Sequence, residues 1–201
     1  VVLGVLLSLL FAAHWTEGYA DMIQKGIGGK VVRFHVLANS DSEEDQALKL
    51  AVRDRVLQEY GDLLEACTSK EETLATLKNA QQEISETAEA EVLAQGYAYP
   101  VRVSLVREEF PFKKYGDLIF PAGVYDALRI EIGEAKGKNW WCVLYPQMCY
   151  VDAAWGYSTE ESHVRLQNTL TKEEFLVVSA MEQKKITPKI KCRLVELWSE
   201  R

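Results

Sequence analysis

The residues best suited to chemistry lie together in HVLANSDS, residues 35–42, between a short apolar run and an amphipathic segment. If the apolar run is a strand, Arg33 and His35 share one face, because side chains two residues apart in a strand point the same way. Asn39 and Asp41 then follow in the turn beyond the strand. A histidine, an amide and a carboxylate at a strand-to-helix turn are residue types that an active site uses.

Two interpretations account for this cluster. The first is an exported hydrolase in which His35 and Asp41 serve a nucleophilic serine, which requires base and nucleophile within hydrogen-bond reach. The second is helix capping, because Asn, Ser and Asp before a helix accept from its free N–H groups. The acidic residues 43–45 also suit the positive end of a helix dipole. Capping explains most of the cluster and leaves His35 unexplained.

A second group of candidates is aromatic. Trp140 and Trp141 are adjacent, so on a strand one indole points to the core and the other outward. A chain reversal at residues 145–146 would set Trp141 opposite Tyr150. Three interpretations are open: a cross-strand aromatic pair at the core edge, an anchor for a protein partner, or the platform of a carbohydrate-binding cell-envelope module. Trp and Tyr carry much of the binding energy of protein interfaces.

Two of the four cysteines fit one hairpin. The same reversal pairs Cys142 with Cys149 and sets their sulfur atoms close enough to form a disulfide. Zinc needs four ligands, and the sequence supplies neither a second cysteine pair nor a nearby histidine. We expect a disulfide if the chain is exported, and we expect Cys67 and Cys192 to be small buried side chains.

Periodicity predicts the elements that position these residues. Period-two alternation and β-rich composition predict strands over residues 31–38, 101–106, 124–132, 140–145 and 190–197. Apolar spacing and capping boxes predict helices over residues 43–60, 69–96 and 171–181. The sequence therefore predicts an α+β fold: a mostly antiparallel sheet of about five strands, covered on one face by two long helices and a shorter third helix.

Composition restricts the classes of function. The chain has 201 residues, of which 48% are hydrophobic, and its net charge of −7 with no extended basic cluster argues against nucleic-acid binding. No phosphate-binding loop, metalloprotease, serine-hydrolase or calcium-loop motif is present in the sequence. We therefore expect neither a cofactor nor a metal ion.

The N-terminus has the character of an export segment. Residues 1–13 are apolar apart from Ser8, shorter than the roughly 20 residues of a membrane span and typical of a secretory signal. We expect a signal peptide or N-terminal membrane anchor over residues 1–20, a Gly-rich linker over residues 21–30 and a single domain over residues 31–201.

Two longer blocks resemble a known family. Residues 33–54, RFHVLANSDSEEDQALKLAVRD, look like the first block of the stage II sporulation protein R family. Residues 139–152, NWWCVLYPQMCYVD, are similar to its second block. The stretch FPAGVY at residues 120–125, the order of the blocks and the N-terminal segment fit the same family. The resemblance covers roughly residues 30–152.

The resemblance implies a signalling protein of endospore-forming bacteria, made in the forespore and exported into the space between the two sporulation membranes. There it would activate a membrane-embedded aspartic protease of the mother cell, which processes the pro-form of the early mother-cell sigma factor. It implies no catalysis by the chain itself, and membrane contact only through the N-terminal segment. The candidates for contacting the partner are Arg33, His35, Asn39, Asp41, Trp140, Trp141 and Tyr150.

Overall fold

The computed structural model describes residues 18–149 and 160–179. A helix, α1, occupies residues 18–30. The other elements are, in chain order, β1 (Val32–Leu37), α2 (Glu43–Glu65), α3 (Lys70–Asn79), α4 (Gln81–Ala94), β2 (Val101–Phe110), β3 (Lys113–Tyr115), β4 (Leu118–Phe120), β5 (Gly123–Ile132), β6 (Asn139–Tyr145), α5 (Glu160–Thr169) and α6 (Lys172–Ser179). Among these described helices, none combines the length and the apolar character that crossing a bilayer requires.

The centre of the fold is a four-stranded sheet in the order β2-β5-β1-β6. Strand β1 pairs in parallel with β5 and antiparallel with β6, and β2 pairs antiparallel with β5. Strands β3 and β4 form a separate pair. The α+β class is confirmed, with four strands in the main sheet and one parallel pairing. The strand predicted over residues 190–197 lies outside the described residues.

Both faces of the sheet are covered, whereas the sequence predicts helices on one face only. Alternation along β1 sends Val32, Phe34 and Val36 to a first face, where they pack with residues of α2, α3 and α4. It sends Arg33 and His35 to a second face. There α1, the β3–β4 pair, α5 and α6 contribute to a second core. Each of these short elements supplies only a few apolar side chains, too few for a clear period in the sequence.

The linker predicted over residues 21–30 is wrong, because this segment belongs to α1. Ile23 and Ile27, one helical turn apart, are buried in the second core. The glycines permit close packing: a Cβ atom on Gly28 would lie 2.5 Å from the main-chain oxygen of Val124. The glycines that make this segment resemble a linker in sequence instead allow a helix to lie close against the sheet.

Helix starts follow the capping patterns. Ser69 Oγ accepts from the Glu72 N–H at 3.1 Å at the start of α3, and Thr171 caps α6 in the same way. The long helix predicted over residues 69–96 is instead two helices, α3 and α4, joined at Ala80.

Candidate partner-binding surface

The polar turn before α2 holds the start of that helix in place. Ser42 is the N-cap residue, and its Oγ accepts from the Asp45 N–H at 3.2 Å. The Asp45 carboxylate accepts from Ser40 Oγ at 2.5 Å and from Asn39 Nδ2 at 2.8 Å. These bonds, that of Ser40 first, lower the pKa of Asp45 below its usual value. The capping interpretation is confirmed, with Ser42 as the N-cap residue.

The same turn also clasps the connection between β5 and β6. Asn39 Oδ1 accepts from the Glu134 N–H at 3.0 Å, and Asp41 Oδ1 accepts from the Lys138 N–H at 2.7 Å. Gly133, with a φ of +61°, lies so close that a Cβ atom there would collide with the Asn39 side chain. Asn39 and Asp41 therefore have structural partners within the chain.

His35 lies apart from this turn, on the second face of the sheet. Its ring stacks on that of Trp141, with centroids 4.8 Å and planes 13° apart, and lies 5.2 Å from the ring of Phe110. His35 Nε2 is 2.7 Å from Glu108 Oε1, and only 3% of the residue is exposed. In the described part of the chain no hydrogen bond or ion pair joins His35 to Asp41. The geometry does not assemble the pair that the hydrolase interpretation needs.

The surroundings of His35 keep its ring neutral. Burial, then the guanidinium groups of Arg129 and Arg33, lower the pKa of His35 to about 4. The Glu108 carboxylate acts in the opposite direction, but Arg129 Nη1 already binds its other oxygen at 3.0 Å. The imidazole at pH 7 is therefore an uncharged stacking group in the second core.

Arg33 is fully buried and has no acidic partner among the described residues. Its Nη2 donates to Tyr115 Oη at 2.8 Å, and its Nε donates to the Cys142 main-chain oxygen at 3.3 Å. Its guanidinium carbon lies between 5.0 and 5.6 Å from the centres of four rings, those of Phe110, Tyr115, Phe120 and Tyr125. Cation–π attraction to this aromatic cage offsets part of the lost hydration.

The two tryptophans point to opposite faces, as predicted. Trp140 packs edge-on against Phe34 with ring centres 5.7 Å apart, and the Arg53 guanidinium carbon lies 4.7 Å from its ring centre. Trp141 packs on the second face. Both faces are cores, so each indole is half-buried, and neither points wholly outward. Tyr150 lies outside the described residues.

A disulfide joins Cys142 and Cys149, whose Cα atoms are 5.3 Å apart. A main-chain hydrogen bond inside the loop joins two residues that the predicted hairpin register sets opposite each other. Cys67 is free and half-buried, while Cys192 lies outside the described residues. Residues 18–149 and 160–179 contain no group of three or more side chains arranged to hold a metal ion.

Ser104, Glu108 and Arg129 are functional candidates that local sequence patterns do not predict. Antiparallel pairing sets Ser104 opposite Arg129, and parallel pairing sets Arg129 beside His35, which in turn pairs with Trp141. We call Ser104, Arg129, His35 and Trp141, one residue from each strand, the polar row. The charge of Arg129 within the predicted strand over residues 124–132 was a signal in the sequence, but its position beside His35 depends on a parallel pairing that no local pattern specifies.

Comparisons with known proteins point to one family. The family model of Stage II sporulation protein R matches residues 28–155. Stage II sporulation protein R of Bacillus subtilis (strain 168) is 32% identical over 184 residues, which cover 87% of this chain and 82% of that protein. No solved structure matches the chain. On the family match and on this relative, the chain belongs to the stage II sporulation protein R family.

Proposed function

We propose that the chain is an exported sporulation signal that activates a protease. It leaves the forespore for the space between the two sporulation membranes and there binds a membrane-embedded aspartic protease of the mother cell. The protease then removes the pro-segment of the early mother-cell sigma factor. Membership of the stage II sporulation protein R family is the observation that carries this proposal. The chain acts as a ligand and catalyses no reaction.

The Cys142–Cys149 disulfide supports an extracytoplasmic place of action. Disulfides persist in oxidising compartments, whereas cytoplasmic thiols are kept reduced. The bond closes the turn that follows β6, and β6 carries both tryptophans. Export and oxidation therefore fix the end of the strand on which the aromatic candidates lie.

The contacts of the polar candidates support a ligand over an enzyme. Asn39 and Asp41 hold the β5–β6 connection, and His35 is buried and stacked on Trp141. Nucleophilic catalysis needs an oriented base beside a nucleophile that substrate can reach. These side chains are engaged in packing and in joining elements instead.

A ligand activates a receptor only by binding its active state better than its inactive state, and each tenfold shift takes about 1.4 kcal/mol of differential affinity. Such a difference requires a contact surface with a few strong anchors. Trp141 is half-buried, and it lies two strands from Arg129 in the polar row, with His35 between them. Trp and Arg are the side chains most often found to dominate binding energy at interfaces.

The test is processing that depends on the chain. The full chain is expressed with its own N-terminal segment in vegetative cells that carry the protease and the pro-protein, and an immunoblot gives the ratio of mature to pro-protein. We expect mature protein only when the chain is present. Accumulation of the disulfide-bonded chain without maturation would contradict the proposal.

Two matched variants test which face of the sheet the activity depends on. Trp141→Ala is expected to reduce processing strongly, and Trp140→Ala, which removes the same side chain from the first face of the same strand, is expected to reduce it much less. The thermal unfolding midpoints of both variants are measured to correct for lost packing. Equal loss of processing at equal stability would exclude a contact specific to Trp141.

A further inference from the structure

Five buried side-chain atoms in the described residues have no hydrogen-bond partner, and all belong to the second face of the sheet. They are Arg33 Nη1, both ring nitrogens of His35, Ser104 Oγ and Arg129 Nε. His35 Nε2 touches Glu108 but makes no hydrogen bond of good geometry with it. Folded proteins rarely leave buried polar atoms unpaired, because each unpaired group is destabilising. Their concentration on one face indicates that a group from outside the described residues belongs there.

The unpaired atoms are contiguous. Ser104, Arg129 and His35 are cross-strand neighbours on β2, β5 and β1, and Trp141 continues the row on β6. The row also reaches the surface: 28% of the Arg129 side chain is exposed, and Ser104 and Trp141 are half-buried. A rotation of Arg129, whose Nη atoms lie 3.0 Å from Glu108 and 3.6 Å from Glu131, would present its Nε–H, and the Ser104 hydroxyl next to it, to a molecule docked on this face.

Positive charge is in excess around the row. Arg129 pairs with Glu108 at 3.0 Å and with Glu131 at 3.6 Å, whereas the buried Arg33 has no carboxylate partner among the described residues. On this face the four strands of the sheet carry three guanidinium groups and two carboxylates, and the Lys113 ammonium lies over the Trp141 ring; the strand residues are Arg33, Arg102, Arg129, Glu108 and Glu131. The elements that cover this face add two further pairs, Lys30 with Glu174 and His163 with Asp117. The chain as a whole has a net charge of −7. Unpaired donors combined with local positive charge favour an anionic acceptor.

We propose that the polar row receives a carboxylate side chain from the protein to which the chain signals. The carboxylate accepts from Arg129 Nε–H and from the Ser104 hydroxyl, and the exposed part of Trp141 packs against the adjoining partner surface. The identity of the partner rests on the proposed function. The carboxylate chemistry rests on the row itself.

The first experiment tests the chemistry without the partner. N-acetylglutamate N-methylamide is titrated into the full chain in non-ionic detergent, and the indole N–H resonance of Trp141 is followed by NMR. N-acetylglutamine N-methylamide, which has the same shape without the charge, is the control probe. We expect a saturable shift with the carboxylate probe only, and at least a tenfold weaker response in Arg129→Gln. Equal shifts with both probes, or none, would overturn the carboxylate site and leave an ordered water as the occupant.

The second experiment tests the partner through processing in cells. Ser104→Ala is expected to keep or slightly raise the unfolding midpoint, because it removes an unpaired hydroxyl, yet to lower processing at least tenfold at limiting dose. Arg129→Gln should lower processing as well. Arg107→Gln is the matched control, because Arg107 lies on the same strand as Ser104 and pairs with Asp126 on the other face of the sheet. Its processing should stay within twofold of wild type.

The outcomes separate the two proposals. Carboxylate binding with normal processing by Ser104→Ala and Arg129→Gln would show that the row is not the docking site of the partner. Carboxylate binding with no processing by the wild-type chain would refute the proposed function and leave the carboxylate site standing. A lower unfolding midpoint in Ser104→Ala would show that the hydroxyl has a structural partner, which contradicts the inference.

Discussion

Acidification should destabilise the fold through His35. The pKa of His35 is about 4 in the folded chain against 6.5 for an unperturbed histidine. Because the folded-state pKa is the lower one, the unfolded chain binds more protons as the pH falls. The stabilisation is complete above pH 6.5 and is lost progressively between pH 6.5 and pH 4. The Glu108 carboxylate opposes this lowering of the His35 pKa. The measurement therefore decides which effect is larger, that of burial and two guanidinium groups or that of the single carboxylate.

The magnitude follows from the two pKa values. Integrating the proton linkage gives a loss of roughly 2 kcal/mol in the free energy of unfolding between pH 7 and pH 5 from His35 alone. Other groups titrate over the same range, so the quantity to measure is a difference of differences. The pH-dependent loss in the wild-type chain is compared with that in His35→Gln, in which this titration is absent.

The assay is urea unfolding of the oxidised chain at pH 7, 6 and 5, followed by tryptophan fluorescence. We expect the wild-type chain to lose about 2 kcal/mol more than His35→Gln over this range. Equal losses in both proteins would refute a lowered pKa. A smaller loss in the wild-type chain would mean that Glu108 holds a protonated imidazole, and NMR titration of the His35 ring near or above 6.5 would show the same.

Three further predictions concern stability, each measured by denaturant unfolding. Arg33→Lys should lower the free energy of unfolding by about 3 kcal/mol, and Arg33→Met should lower it by less, because methionine fills the aromatic cage without a buried charge. A larger loss in Arg33→Met than in Arg33→Lys would contradict the role given to the aromatic cage. Reducing the Cys142–Cys149 bond should remove about 2.5 kcal/mol, and no change would deny its contribution. Gly28→Ala should destabilise the fold by about 2 kcal/mol or more, whereas Gly29→Ala, with open space around it, should be neutral or stabilising; equal effects would exclude the predicted collision.

Local patterns in the sequence were enough for α2, α6, the four strands of the main sheet and the disulfide. Capping boxes placed the starts of α3 and α6, and the reversal after β6 brought Cys142 to Cys149 as predicted. Alternation also placed Arg33 and His35 on one face. These features depend on neighbours a few residues apart, which is why periodicity and spacing are sufficient to find them.

Long-range pairings decided what the sequence did not reveal. The parallel pairing of β1 with β5 sets Arg129 beside His35, residues 94 positions apart in the numbering, and no short pattern encodes that register. The second core was hidden because α1 contributes only Ile23 and Ile27 between glycines that read as a linker. The close packing of this helix against the sheet therefore outweighed a residue composition that is typical of loops.

The central claim is tested most directly by measuring, in the same samples, how much of the chain is bound to the protease and how much pro-protein is processed. Labelled full chain is titrated onto membranes that contain the protease and onto membranes that lack it, and pro-protein maturation is measured in the same samples. We predict saturable binding only where the protease is present, with maturation rising in proportion to occupancy, because a ligand acts only while bound. Maturation that proceeds without protease-dependent binding, or that is complete at trace occupancy, would contradict the account.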